Sequence, residues 1–168
     1  MTALPIELDN NICIRAANDE DSEAVINLIS SVYSEYEGCV LDVEKEEKDL
    51  RTPASSFAQL GGAFWVAERD GEIIGSGAVM PTDAPGVARL HKLYVAKSAR
   101  GTGLGSQLLK LAESTAKNLG ADKFMLYTDT RFHDAQKLYE NKGYTKQSGT
   151  RHLADASNSI EFTYTKAI

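Results

Sequence analysis

Hydrophobic and polar residues alternate along several short stretches of the chain, which is the pattern of strands in a sheet with one buried face. These stretches are residues 12–15, 63–68, 72–79, 90–95, 123–128, 144–146 and 160–164. Arg69-Asp70-Gly71 joins two of them. Asp and Gly accept the positive φ angles of a tight hairpin turn, so we predict an antiparallel hairpin there.

Three other segments space their apolar residues every three or four positions, as amphipathic helices do. In the first, Asn18 and Asp21 resemble a helix N-cap with its capping box. The apolar positions that follow them are Ala24, Val25, Leu28, Ile29 and Val32.

The second helical segment begins at Leu104 and is closed by Gly120, and the third covers residues 132–142. In the third, one face carries Ala135, Leu138 and Tyr139, and Gly143 fits a C-terminal cap. Residues 34–53 have no clear period, and we interpret the charged run at 42–50 as the solvated face of a helix.

The elements follow the order strand, one or more helices, three strands, helix, strand, helix, two strands, with no repeat or linker. This order predicts a single α/β domain over residues 1–168. Hairpins predict antiparallel strand pairs, whereas the strand–helix–strand crossover predicts a parallel pair, so the sheet should be mixed.

Composition narrows the function classes. The chain has 168 residues, 25% of them charged, and a net charge of −6, which argues against nonspecific nucleic-acid binding. Cys13 and Cys39 form no disulfide framework or zinc motif and predict two free thiols. The first residues show no signal-peptide pattern, and no apolar run is long enough to cross a membrane. We therefore expect a cytoplasmic protein.

A glycine-rich loop, Arg100-Gly101-Thr102-Gly103-Leu104-Gly105-Ser106, joins the strand at 90–95 to the second helix. Such a loop presents unpaired backbone N–H groups at the positive end of a helix dipole, and glycines let a ligand approach closely. The pattern predicts a cradle for a phosphate or pyrophosphate.

The spacing separates this loop from two common phosphate sites. A P-loop needs Gly-Lys-Ser/Thr, and here Gly105-Ser106 is followed by Gln107. A dinucleotide fingerprint places its third glycine three residues after the second, whereas Gly105 follows Gly103 by two. A plain strand-to-helix turn with glycines for tight packing remains the alternative.

Together with the element order, two motifs resemble the GNAT superfamily of acyl-CoA-dependent N-acetyltransferases. Residues 100–105 match the family's Gln/Arg-x-x-Gly-x-Gly/Ala pyrophosphate loop, and Leu93-Tyr94-Val95 matches the strand that pairs with the pantetheine arm. Ala135, Leu138-Tyr139 and Gly143-Tyr144 match its Ala-x-x-Leu-Tyr-x-x-x-Gly-Phe/Tyr helix and turn.

The resemblance implies a mixed, mostly antiparallel sheet of about six to seven strands flanked by about four helices. It also implies acetyl-CoA as cosubstrate, no metal, and transfer of the acetyl group to a primary amine of a small molecule or peptide by direct attack in a ternary complex. A noncatalytic acyl-CoA-binding module or sensor is the alternative from another class, and a longer-chain or succinyl transferase is a third reading. Neither nucleic acid nor membrane is an expected partner, and a homodimer stays open.

By the same resemblance, the cofactor would be held by one continuous region. Its residues are Leu93, Tyr94, Val95, Arg100, Gly101, Thr102, Gly103, Leu104, Gly105 and Ser106. Many members carry Asn seven residues before the motif tyrosine, where this chain has Phe132. Polar contact at that corner would then come from Thr128, Thr130 or Arg131.

Two residues are the catalytic candidates. Tyr139 stands where the family places a phenol near the cofactor sulfur, and it would protonate the leaving thiolate unless it is simply a core tyrosine. His91 matches a strand histidine of arylalkylamine-type members and would act as general base, with a rate that rises through a pKa near neutrality. The alternative for His91 is an ordinary hydrogen-bonded or surface histidine.

Strand alternation predicts that Arg89, His91, Leu93 and Val95 share one face. Arg89 occupies a position where the family often has Glu, which excludes a carboxylate base there. Glu35, Tyr36 and Glu37 are expected to line the acceptor site, and Glu68 is a further candidate base. Acceptor specificity is expected to lie in residues 34–53 and 148–158.

Overall fold

The computed structural model describes residues 2–168, and within them nine strands form one sheet. The strands are β1 (Ile6–Leu8), β2 (Ile12–Ala16), β3 (Ala63–Arg69), β4 (Glu72–Pro81), β5 (Val87–Val95), β6 (Lys123–Asp129), β7 (Thr145–Lys146), β8 (Arg151–His152) and β9 (Ile160–Ala167). Seven of these correspond to the predicted stretches. The short strands β1 and β8, of three and two residues, were not predicted.

Four α-helices flank the sheet: α1 (Ser22–Tyr33), α2 (Pro53–Gln59), α3 (Leu104–Asn118) and α4 (His133–Asn141). Helix α2 was not predicted, since its only large buried side chain is Phe57. None of the helices within residues 2–168 combines the length and the apolar character needed to cross a membrane.

The strand order is β1-β2-β3-β4-β5-β6-β9-β7, with β8 also paired to β9. The β5–β6 pair is parallel and is connected through α3, and the other pairs are antiparallel. The predicted mixed sheet is therefore confirmed. The predicted hairpin is confirmed too, with φ of 53° at Asp70 and 80° at Gly71.

The sheet packs helices on both faces. On one face, α3 buries Leu104, Leu108 and Leu109 against strand residues that include Phe124 and Leu126. Each such leucine contributes roughly 1.5–3 kcal/mol through the removal of apolar surface from water. On the other face, a second cluster lies beneath α1 and α2 and consists of Val25, Ile29, Leu50, Phe57, Phe64, Val66 and Ala78.

The predicted capping box of Asn18 and Asp21 is present, but it begins a 3-10 turn that precedes the α-helix. Asp21 does accept a hydrogen bond from the Asn18 N–H at 2.8 Å, but residues Asp19–Asp21 form a 3-10 turn and α1 begins at Ser22. Asp21 also binds the Arg15 guanidinium through both of its oxygens at 2.9 Å, so its carboxylate is shared between the turn and β2.

The prediction that residues 42–50 form a solvated helix face is wrong. The segment folds as turns followed by a 3-10 turn at Lys48–Arg51. Leu50 is fully buried in the core, and the carboxylates of Glu47 and Asp49 bond to the ammonium group of Lys92 on β5. Because the run is rich in charged residues, its sequence did not identify Leu50 as a core residue or Glu47 and Asp49 as ion-pair partners of Lys92.

Candidate active site

A cavity of about 620 Å³ opens between β5 and β6. The two strands pair only from Val87–Arg89 with Lys123–Met125, and beyond these residues they diverge. The edge of β5 that faces β6 therefore lacks a strand partner from Leu90 to Val95. The opening is lined by residues of both strands, of α1, α3 and α4, and of the two irregular segments at 34–53 and 148–158.

A β-bulge in β5 determines which side chains face the cavity. Lys92 has a φ of 53°, and the register with β4 shifts between Ser76 and Ala78. The Ser76 hydroxyl stabilises the bulge by donating a hydrogen bond to the Lys92 carbonyl at 2.7 Å.

The bulge overturns the expected common face of Arg89, His91, Leu93 and Val95. Leu93 and Val95 pack with the cluster under α3, whereas the His91 ring lies against Phe57 of the opposite cluster, 5.7 Å between centroids. One extra residue in a strand inverts the alternation after it, and the sequence pattern alone does not reveal such an insertion.

The glycine-rich loop has the properties of an anion cradle. Gly101 and Gly103 have φ of 79° and 85°, and a Cβ placed on either would meet no atom within 4 Å. The backbone N–H groups from Gly101 to Ser106 have no acceptor among residues 2–168, and those of Leu104, Gly105 and Ser106 begin α3. Free donors at a helix N-terminus beside open space fit a pyrophosphate.

The third glycine of the motif has a different role. A Cβ on Gly105 would lie 3.3 Å from Leu138 and 3.7 Å from Val95, so its absence allows α3 to pack closely against α4 and β5. Gly105 therefore fits the alternative explanation of a glycine that allows tight packing. Gly101 and Gly103 do not, because the space beside them is open.

Arg100 lines the cavity, but its guanidinium is already bonded within the chain. Both terminal nitrogens lie 2.6 Å from the Glu35 carboxylate oxygens, and Nε donates to the Val95 carbonyl at 3.3 Å. The ion pair lowers the pKa of Glu35. Thr102 turns its hydroxyl to the Ala99 carbonyl at 2.6 Å and does not line the cavity.

Tyr139 of α4 lies at the wall of the cavity with only 4% of its surface exposed. Its ring packs near Tyr144 and Tyr164 at centroid distances of 5.9 and 5.8 Å. Those two hydroxyls donate to Glu113 and Glu140, while the Tyr139 hydroxyl has no hydrogen-bond partner among the described residues. Burial raises the pKa of Tyr139, so the phenol stays protonated at any ordinary pH.

His91 also lines the cavity, in an environment that keeps it neutral. Burial, together with the positive charges of Arg89 and Lys92, lowers the pKa of His91 to about 3. The expected rate increase through a near-neutral pKa of His91 therefore does not fit this environment. A neutral imidazole at this place still offers a ring nitrogen as hydrogen-bond acceptor.

Thr128, Thr130 or Arg131 were expected to supply polar contacts near Phe132, and the cavity is only partly polar there. Thr128 is buried and lines the cavity, whereas Thr130 and Arg131 do not line it. Phe132 lies there instead, with its ring centroid 4.9 Å from that of Tyr36 and 6.0 Å from that of Tyr33.

Arg131 connects the walls of the cavity. It binds both oxygens of Asp129 at 2.8 Å, and it donates to the carbonyls of Glu37 and Ser157 at 3.1 and 3.2 Å. Ser157 in turn exchanges hydrogen bonds with the N–H and carbonyl of Val40. The segment after α1 and the segment before β9 are therefore held together across the cavity.

Of the residues expected at the acceptor site, Tyr36 lines the cavity, Glu35 lies beside it on Arg100, and Glu37 contributes its carbonyl to Arg131. Glu68 is bound to Arg15 and lies outside the cavity. Three further lining residues, Glu46, Glu47 and Asp155, lie in the segments 34–53 and 148–158 that were expected to set acceptor specificity, but they were not singled out. The sequence reasoning missed Tyr127 and Glu161, which also line the cavity.

Cys13 and Cys39 are free thiols, as predicted, and Cys39 lines the cavity. Burial raises the pKa of both thiols. Within residues 2–168, no group of three His, Cys, Asp or Glu side chains has an arrangement that could hold a metal ion.

The sequence and the fold are similar to those of proteins in the GNAT acetyltransferase family. The Acetyltransferase (GNAT) family profile matches residues 25–144. The chain is 30% identical over 129 residues to the uncharacterized N-acetyltransferase YjgM of Escherichia coli, which covers 74% of this chain and 77% of that protein.

Two solved structures extend the similarity to nearly the whole chain. A GNAT acetyltransferase of Staphylococcus aureus superposes with a TM-score of 0.78 at 25% identity, covering 93% of this chain and 98% of that one. The acetyltransferase yncA of Salmonella typhimurium, solved with acetyl-CoA, gives a TM-score of 0.73 at 16% identity and 94% coverage of both chains.

Proposed function

Because the chain belongs to the GNAT acetyltransferase family, we propose that it transfers an acetyl group from acetyl-CoA to a primary amine of a small molecule or peptide, by direct attack in a ternary complex. The observation that carries this proposal is one continuous cavity. It connects the free N–H groups of the glycine-rich loop to Tyr139 and continues to the segments after α1 and before β9. A cosubstrate and an acceptor fit such a cavity side by side.

The donor half of the cavity suits a CoA thioester. The N–H groups of Gly101 and of residues 103–106 would bind the pyrophosphate, and the unpaired edge of β5 at Leu93–Val95 would pair with the amide groups of the pantetheine arm. Acetyl-CoA, when bound, supplies the activated acyl group. The backbone of residues 93–95 provides N–H donors that would polarise the thioester carbonyl.

Tyr139 is the proposed general acid. Its raised pKa keeps a proton on the hydroxyl oxygen, and the absence of a hydrogen-bond partner within the described residues leaves that proton for a leaving thiolate. The ring contacts with Tyr144 and Tyr164 fix the position of the hydroxyl.

His91 is the proposed proton acceptor for the attacking amine, directly or through a water molecule. With a pKa of about 3, it accepts hydrogen bonds over the whole physiological pH range but holds a proton only transiently. The increase of rate with pH is then set by ionisation of the amine, which must be neutral to attack.

A thiol-release screen tests the proposed function. The protein is incubated with acetyl-CoA and polyamines, amino acids, aminoglycosides, arylalkylamines or basic peptides, and acetylated products are identified by mass spectrometry. We expect amine-dependent thiol release that is at least about tenfold slower in Tyr139→Phe. Tight CoA binding by calorimetry without turnover of any amine would contradict the transferase and favour the acyl-CoA sensor.

A further inference from the structure

Arg89 is a cation of the cavity lining that contacts an aromatic ring but has no ion-pair partner among residues 2–168. Its guanidinium makes no ion pair or hydrogen bond with any group in residues 2–168, and its Nε atom is buried without a bonding partner. A guanidinium keeps its charge and carries five N–H donors in a planar fork. Leaving such a group partly buried and unpaired is unfavourable unless a ligand supplies the missing acceptors.

The neighbours of Arg89 orient it without neutralising it. Its Cζ atom lies 4.4 Å from the ring centroid of Tyr127, and the Cζ atom of Arg151 lies 3.6 Å from the same centroid. Stacking on an aromatic face holds the guanidinium plane and leaves its N–H edge free for an acceptor.

Glu161 and Glu47, the two carboxylates whose charges act on Arg89, are each paired with another cation. Glu161 accepts hydrogen bonds from Arg151 at 2.8 and 3.1 Å, and Glu47 is paired with Lys92. Burial and the nearby charge of Arg151 lower the pKa of Arg89. Arg89 itself forms no ion pair with a carboxylate of residues 2–168 and can accept one from a ligand.

Arg89 and His91 are two residues apart on β5, before the bulge, and both line the cavity. Two residues of a strand span roughly 7 Å, so a single small molecule can contact both side chains. A planar carboxylate matches the guanidinium fork with two parallel hydrogen bonds.

We propose that Arg89 binds a carboxylate of the acceptor, so that the acceptor is an amino-acid-like molecule that carries a primary amine and a nearby carboxylate. This inference rests on the proposed acetyl transfer. A carboxylate on the acyl donor, as in succinyl-CoA, is the other source of the same chemistry. Arg89 lies four residues before Leu93, roughly 13 Å along the strand, which favours the acceptor as the source.

The test compares each α-amino acid with its own α-carboxamide, using acetyl-CoA as donor and kcat/KM corrected for the fraction of neutral amine. For the best acceptor, we expect the acid to exceed the amide by about 10–100-fold, the usual size of a charge-assisted hydrogen-bond contribution. Arg89→Met should bring the two compounds to within about threefold of each other, and Arg89→Lys should retain part of the preference.

Arg51→Met is the matched control, because Arg51 pairs with Glu44 away from the cavity and its loss changes the net charge equally. Unchanged CoA affinity of the Arg89 variants shows that they are folded. Equal rates for acid and amide in the wild-type protein would overturn the proposal while leaving acetyl transfer intact, as would a preference that survives Arg89→Met. A wild-type preference for succinyl-CoA over acetyl-CoA that disappears in Arg89→Met would assign the carboxylate to the donor and overturn the acceptor assignment.

Discussion

Arg100 and Glu35 form a two-armed ion pair, with 2.6 Å between each terminal guanidinium nitrogen and a carboxylate oxygen. Arg100 begins the glycine-rich loop, and Glu35 follows α1, so the pair connects the proposed donor site to the acceptor wall. Since Arg100 was expected to bind the cofactor, its carboxylate partner is a competitor for any phosphate that reaches the loop.

We expect Glu35→Gln to lower the Kd for CoA by about two- to tenfold, because it frees the guanidinium and removes a negative charge beside the anion cradle. Arg100→Ala should raise the Kd by about five- to thirtyfold, which corresponds to roughly 1–2 kcal/mol. Isothermal titration with CoA measures both values. Glu44→Gln, which breaks the Arg51 ion pair, is the control for net charge, and weaker binding by Glu35→Gln would contradict this competition.

For the glycine-rich loop, Gly103→Ala and Gly103→Val should weaken CoA binding in a folded protein. The new side chain projects into open space that the pyrophosphate is expected to fill, and the φ of 85° adds about 1–2 kcal/mol of strain. Gly71→Ala is the control, because Gly71 has a φ of 80° and equally open surroundings in a distant hairpin. Calorimetry and thermal unfolding should show equal losses of stability but a loss of CoA affinity at position 103 alone.

Gly105→Val is expected to act through packing, because its Cβ would press on Leu138. We expect a lower Tm than for either Gly103 variant.

Tyr139→Phe should lower kcat by roughly 10–1000-fold with little change in CoA affinity, since it removes a proton donor and keeps the ring. Tyr164→Phe is a close control, because that hydroxyl is bonded to Glu140 in the same aromatic cluster. Steady-state kinetics with the best amine decide the matter: equal kcat in wild type and Tyr139→Phe would make Tyr139 a core residue.

The low pKa of His91 predicts a dependence of stability on pH. The unfolded chain binds a proton on His91 near the ordinary value of 6.5, and the folded protein does so only near 3. Stability is therefore lost as the pH falls through this window, by about 2 kcal/mol between pH 7 and pH 5. Urea unfolding should show that His91→Gln removes this part of the loss, whereas substitution of the exposed His133 should not. An identical loss in His91→Gln and wild type would mean that His91 titrates normally.

Sequence patterns predicted the regular elements and the anion cradle because each depends on local spacing. The three glycines, the Asp70-Gly71 turn and the apolar face of α3 act within a few residues. The bulge at Lys92 could not be read in this way, since the residue type does not mark the inserted position. The partners of the charged run were hidden for a related reason: Glu47 and Lys92 are 45 residues apart and meet only in the folded chain.

The acceptor wall was the least predictable part of the site. Arg131 was expected to contact the cofactor because it is next to Phe132, which stands seven residues before Tyr139 in the sequence. In the structure it donates hydrogen bonds to the carbonyls of Glu37 and Ser157 instead. Carbonyl acceptors carry no sequence signal, because every residue has one. The same limitation applies to Ser157 and Val40, which are 117 residues apart.

The two hydrogen bonds between Ser157 and Val40 bear on where related proteins differ in sequence. The proposed donor side is built from the sheet and α3, where a substitution disturbs the core. The proposed acceptor side is an interface between two irregular segments that meet through backbone groups and one serine hydroxyl. Related proteins can therefore differ at this interface, and so in their acceptors, while the residues proposed to bind the acyl donor stay the same.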